Sequence, residues 1–102
     1  MSDAHLSREQ IESAGLAEWT VADDALHARF RTGDFATGLR LVNLIGEAAE
    51  AADHHPDLDL RYAHVGVLLT SHDVGGITTR DIRLARRITE IAAEIGVVSD
   101  PG

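Results

Sequence analysis

From Ala25 to Arg31 the chain alternates, with Leu26, Ala28 and Phe30 apolar and His27, Arg29 and Arg31 polar. A period of two predicts a strand with one buried face. Ala22-Asp23-Asp24 supplies a turn before it, so Leu16 to Val21 is expected to pair with it as a hairpin. Upstream, Ser7-Arg8-Glu9-Gln10 has the form of a capping box and predicts a short helix ending near Gly15. Downstream, Asp34 is a candidate N-cap for a longer helix. Phe35, Leu39, Val42, Ile45, Ala49 and Ala52 recur at three-to-four spacing, with Leu41, Leu44 and Ala48 broadening that face, so this helix should lie flat on a sheet. Pro56 ends it and drives His55 towards extended backbone.

Two more strands are expected, Asp57 to Arg61 and His64 to Thr70, the second with Val65, Val67 and Leu69 on one face. Gly75-Gly76 marks a turn. Thr78 and Asp81 then open a last helix whose buried stripe is Leu84, Ala85, Ile88, Ile91, Ala92 and Ile95, closed by Gly96. The tail Val97 to Gly102 is expected to fray. The order is α-β-β-α-β-β-α, which predicts an α+β fold: a four-stranded antiparallel sheet with three helices packed on one face.

Composition narrows the picture. A chain of 102 residues makes one domain, expected over residues 1–102. Its core must be aliphatic, because the chain holds only two Phe, one Trp and one Tyr. So sparse a core favours association of several copies. There is no cysteine, which excludes disulfides and thiolate ligands. None of the nine basic residues is lysine, which excludes Schiff-base chemistry. A net charge of −8 argues against direct nucleic-acid binding. The polar start Met1-Ser2-Asp3-Ala4-His5 and the lack of a long apolar run predict no signal segment and no membrane span, so a cytoplasmic protein is expected.

Six histidines are present, and their placement carries the information. His54-His55-Pro56 falls where a long helix gives way to a strand, and His72 follows a strand end, Leu69-Thr70-Ser71. Imidazole exchanges protons near neutral pH, so converging histidines suit a reaction that needs both an acid and a base. The same pair could instead cap the last carbonyls of the helix. His5, His27 and His64 read as surface residues. Three histidines can hold zinc, but adjacent His54 and His55 cannot easily face one ion, and no metal is expected. Ser71 beside His72 is a poor nucleophile–base pair, because strand neighbours face opposite sides. Arg80, Arg83, Arg86 and Arg87 read as a solvated helix face, partly offset by Glu90 and Glu94.

Glu50, His54-His55-Pro56, Tyr62, Thr70-Ser71-His72-Asp73 and Gly76-Ile77-Thr78-Thr79-Arg80-Asp81 together resemble the pterin-4a-carbinolamine dehydratases. The spacing fits without gaps from Glu50 to Ala85, and a weaker likeness runs back through Trp19, Phe30 and Asp34-Phe35. The resemblance implies a four-stranded antiparallel sheet covered by three helices. It also implies dehydration of 4a-hydroxytetrahydropterin to quinonoid dihydropterin, the recycling of the cofactor of aromatic amino-acid hydroxylases, with no metal or organic cofactor. On this likeness His54, His55 and His72 are catalytic, and Glu50, Pro56, Thr70, Ser71, Arg80 and Asp81 bind or frame the substrate. It further implies a homodimer or homotetramer, a hydroxylase or other protein as possible partner, and an alternative role in binding or assembling such a partner. Leu58 stands where many members have an aromatic residue beside the pocket, His64 where lysine is common, and Arg31-Thr32-Gly33 in place of an aromatic-rich approach to Asp34-Phe35.

Overall fold

The structure is a computed structural model and describes residues 5–100; the polar start at residues 1–4 and the last two residues of the tail lie outside the described residues. Along the chain come α1 (Arg8–Ser13), β1 (Thr20–Ala22), β2 (Ala25–Arg31), α2 (Phe35–Ala52), β3 (Asp57–Leu60), β4 (His64–Leu69), α3 (Thr79–Glu94) and β5 (Val98–Ser99). The sheet is antiparallel throughout, in the order β1-β2-β4-β3, with β5 pairing β2 as well. Leu26, Ala28 and Phe30 of β2 and Val65, Val67 and Leu69 of β4 point into one core with Leu41, Ile45 and Ala49 of α2 and Leu84, Ala85, Ile88, Ile91 and Ala92 of α3. The fold class is the α+β arrangement that the hydrophobic pattern predicts. No helix among the described residues is long and apolar enough to cross a membrane.

The turn and cap signals act as local chemistry requires. Asp23 (φ 52) and Asp24 (φ 61) form a two-residue hairpin loop with both central residues in the left-handed region, matching the twist of the flanking strands. Ser7 and Gln10 close a capping box on α1, and Thr78 and Asp81 close another on α3. At the end of α3, Gly96 (φ 75) lets its N–H reach Ala93 O at 3.1 Å and that of Val97 reach Ala92 O at 2.8 Å, a Schellman closure.

Three expectations change. The first strand is only Thr20–Ala22: from Leu16 to Trp19 the chain coils, with Trp19 N bonded to Leu16 O. There Trp19 is buried, donating Nε1 to Thr89 Oγ1 at 2.9 Å and meeting Phe30 edge-on.

The buried face of α2 is Gly38, Leu41, Ile45 and Ala49, whereas Phe35 and Leu39 stay 47% and 45% exposed and Ala52 is exposed too. The rotation has a steric cause. A Cβ on Gly38 would lie 2.8 Å from Leu60 Cδ1, so the glycine lets the helix backbone ride close on β3 and turns that side inward. Finally, the tail does not fray where it is described. Val98 and Ser99 pair with Arg31 and Phe30, Asp100 N donates to Arg29 O at 2.7 Å, and the Asp100 carboxylate lies 3.4 Å from both Arg31 Nη2 and His64 Nε2.

The rotated face of α2 is directly testable. Leu41→Ala should cost about 2–5 kcal/mol in denaturant unfolding, the range for a buried leucine, and Leu39→Ala under about 1 kcal/mol. Equal losses at the two positions would mean that another surface covers Leu39 in solution.

Candidate functional site

Register and one helix end bring the stretches that carry His54, His55 and His72 to the same end of the sheet, although of the three only His54 lines the groove between α2 and α3. Asp57 of β3 lies opposite Leu68 of β4, so the run entering β3, His54-His55-Pro56, and the run leaving β4, Thr70-Ser71-His72, emerge at the same end of the sheet. α2 ends with Asp53 in the left-handed region (φ 51). The N–H of Asp53 then bonds Glu50 O at 3.2 Å and that of His54 bonds Ala49 O at 3.1 Å. The backbone of His54, not its side chain, thus finishes the helix. The chain reverses there, leaving His54 buried and His55 exposed.

His54 Nε2 donates to Asp81 Oδ1 at 2.6 Å, with side-chain exposures of 10% and 0%. Asp81 is the meeting point of a wider network. Its Oδ2 accepts from Ser71 Oγ at 2.8 Å and from Thr78 N at 2.9 Å. Because Ser71 gives its hydrogen to Asp81, Thr78 Oγ1 donates to Ser71 Oγ across 2.9 Å, and itself accepts from Arg80 N at 3.2 Å. The aspartate that caps α3 therefore also holds the loop after β4 and orients the imidazole after α2. The side-chain oxygens of Asp81, Ser71 and Thr78 are buried and each has a partner, the condition for such a network to add rigidity rather than cost stability.

His55 is held differently. Its Nε2 meets Glu50 Oε2 at 2.5 Å on the surface, where the two side chains are 56% and 78% exposed. His72 is exposed in the loop that Ser71 and Gly76 close by a bridge. Next to it, Asp73 accepts two hydrogen bonds from Arg80 Nη2 at 2.8 and 3.1 Å. The hydrogen bond from the Arg80 guanidinium, helped by its positive charge, holds the Asp73 carboxyl below the ordinary carboxylate range. Pro56 is half-buried, and Thr70 Oγ1 is bonded to Asp24 O at 2.9 Å.

A groove of about 400 Å³ runs from this point between α2 and α3, lined by Ala48, Ala51, Ala52, His54, Arg80, Arg83, Leu84 and Arg87. The arginines of α3 are thus split rather than uniformly solvated. Arg80, Arg83 and Arg87 face the groove, while Arg86 Nη2 donates to Ala14 O at 2.9 Å. Asp73 and Thr78 stand in the motif without a site role assigned to them, and both take part in these contacts. Their signal was the helix cap itself and the Asp–Arg spacing across the loop. Leu58 does not line the groove; it is half-buried against the core. His27 bonds Ala22 O at 3.1 Å, His64 lies beside Arg29 and Asp100, and His5 is exposed. Among the described residues no three His, Asp or Glu side chains are grouped as a metal site.

Residues 4–91 match the family model described as pterin 4 alpha carbinolamine dehydratase. A protein of Nocardia farcinica that bears that activity as a provisional name is 43% identical over 94 residues, covering 90% of this chain and 99% of its own. One from Aquifex aeolicus with the same provisional name is 42% identical, covering 88% and 93%. A crystal structure from Brucella melitensis, titled transcriptional coactivator/pterin dehydratase, superposes with a TM-score of 0.81 at 32% identity, over 86% of this chain and 98% of that one.

Two outcomes test the network. Asp81→Ala strips a buried acceptor from His54, Ser71 and the Thr78 N–H, and should cost about 3–5 kcal/mol of unfolding free energy; a loss below about 1 kcal/mol would contradict it. Arg80→Ala should raise the Asp73 titration, followed by NMR, towards the ordinary value of about 3.9. The sign follows from the lowered carboxyl: the Asp73–Arg80 contact contributes above the ordinary carboxylate range and is lost as pH falls below it.

Proposed function

The chain belongs to the pterin 4 alpha carbinolamine dehydratase family, a family of hydro-lyases, and on that premise we propose that His54, His55 and His72 dehydrate a 4a-hydroxytetrahydropterin by acid–base catalysis. The C4a–O bond breaks, the oxygen leaves as water after gaining a proton, and a ring nitrogen gives up a proton as its lone pair forms the new double bond. The product is the quinonoid dihydropterin. No electrons enter or leave, so the protein has to supply only proton transfer and position.

The observation that carries this reading is the pair of carboxylate-held imidazoles. His54 Nε2 is engaged by Asp81 and His55 Nε2 by Glu50, which leaves Nδ1 of each ring for the substrate. His54 and His72 serve the departing hydroxyl, and His55, oriented by Glu50, serves as base at the pterin ring. Asp81 and Ser71 are positioning residues that act through His54, since both are wholly buried. Arg80, Pro56 and the Thr70-Ser71 backbone frame the pterin edge. In this role the protein recycles tetrahydropterin for an aromatic amino-acid hydroxylase, in the cytoplasm and as a homodimer or homotetramer. Exposed Phe35, Leu39, Tyr62 and Val98 support association.

A second reading is a non-catalytic binding or assembly role. It is favoured by the same exposed apolar residues and by the coactivator title of the Brucella structure. Partner binding would survive alanine at the three histidines, whereas dehydration would not.

Stopped-flow absorbance of freshly generated 4a-hydroxytetrahydropterin separates these readings. Wild-type protein should accelerate its decay over the spontaneous reaction, and His72→Ala should lower that acceleration by about 10²–10⁴. No acceleration by wild type would sink the catalytic reading and leave the binding role.

A further inference from the structure

The groove beside His54 is more cationic than dehydration of a neutral pterin requires. Its lining holds Arg80, Arg83 and Arg87 and no carboxylate, in a chain whose net charge is −8. The three arginines stand at i, i+3 and i+7 of α3 and so share one face. From Arg80 to Arg87 that face advances roughly 10 Å along the helix. The opposite wall is cut back: Ala48, Ala51 and Ala52 of α2 present only methyl groups, which leaves open the space that the guanidinium groups border.

The arginines are not equally committed. Arg80 is held in two hydrogen bonds by Asp73. Arg87 reaches Glu90 at 3.2 Å and Glu94 at 3.5 Å, but all three side chains are about half or more exposed, and such surface pairs exchange readily. Arg83 is exposed and forms no ion pair among the described residues. A guanidinium offers paired N–H donors that match phosphate oxygens, and two of them one turn apart can close on one phosphate.

We infer that Arg83 and Arg87 bind a phosphate ester on the side chain of the pterin substrate, so that the enzyme prefers a phosphorylated 4a-hydroxytetrahydropterin to one with a neutral side chain. The inference rests on the dehydratase reading above and adds the substrate class to it. The pterin ring lies at the His54–Arg80 end of the groove, and its side chain follows α3 towards Arg87.

The test compares a tetrahydropterin bearing a hydroxylated three-carbon side chain with its phosphate monoester. Both are converted to the 4a-hydroxy form for kinetics, and the corresponding stable dihydropterins are used for calorimetric binding. The phosphate ester should bind and turn over with at least about tenfold higher kcat/KM, carried by KM, and the preference should shrink at high salt. In the double variant Arg83→Ala/Arg87→Ala the ratio of the two substrates should fall to about one, whereas Arg86→Ala, outside the groove, should keep it. Inorganic phosphate should compete with the ester only at far higher concentration than the ester itself, because it lacks the ring contacts.

Dehydration of both substrates with equal kcat/KM, or a preference that survives the double variant, overturns the inference and leaves the dehydratase reading standing. Failure to bind or dehydrate either pterin overturns both. Circular dichroism of each variant guards against loss of fold, and the exposed position of Arg83 makes such loss unexpected.

Discussion

One buried carboxylate ties together the end of the molecule that carries the histidines. Asp81 has no exposure, and its two oxygens collect the Thr78 N–H, the Ser71 hydroxyl and the His54 ring N–H. Each donor comes from a different stretch: the start of α3, the exit of β4 and the exit of α2. A hydrophobic core can bring such stretches near one another without fixing their mutual orientation to a fraction of an ångström. Directional hydrogen bonds in a low-dielectric setting can, provided every group is satisfied. Without Asp81 the core would still form, but nothing polar would tell the loop after β4 where the imidazole after α2 sits.

The three histidines look alike in sequence and are unlike in space. Asp53 in the left-handed region reverses the chain at the end of α2, so consecutive residues take opposite fates. His54 turns inward to a buried aspartate, and His55, already past the helix, turns outward to Glu50 in the last turn of α2. His72 lies on a loop held at its base by the Ser71–Gly76 bridge. Identical side chains with different restraint and solvation are what a site needs if one ring must be rigid while another follows a leaving group. The cost of that arrangement falls on a non-glycine residue with positive φ, a conformation that aspartate tolerates better than most.

Much of this was legible in the sequence, and the gaps have physical reasons. Strands with clean alternation, Ala25–Arg31 and His64–Leu69, and helices with side-chain caps, at Ser7, Asp34 and Thr78, declare themselves through local chemistry. The rotation of α2 does not, because apolar residues surround much of that helix and the choice between faces is made by Gly38 against Leu60 of a strand some twenty residues away. The β5 pairing also escapes a local reading. Two residues carry no period, and what holds them is an aspartate caught between Arg29, Arg31 and His64. At the site, the histidines and Asp81 were visible as a motif. The double duty of Asp81, as helix cap and as imidazole partner, was not, since a capping box is complete without any third group.

That double duty bears on how the site relates to folding. In an ordinary capping box the acidic residue contributes to helix stability and faces water. Here the same carboxylate is shut away from solvent, and closing the helix start and orienting His54 become a single event. A substitution that relaxes the cap must also loosen the imidazole, and one that perturbs His54 must leave a buried acceptor short of a donor. Stability and positioning are therefore coupled at Asp81, whereas at Glu50, out in solvent, they are separable. The groove wall on α3 begins at Arg80, two residues after Thr78, and inherits that rigidity. Arg80 is pinned to Asp73, and Arg83 and Arg87 follow from it at fixed helical intervals. The charged face that borders the groove is thus set in register with the buried histidine by the helix start that they share.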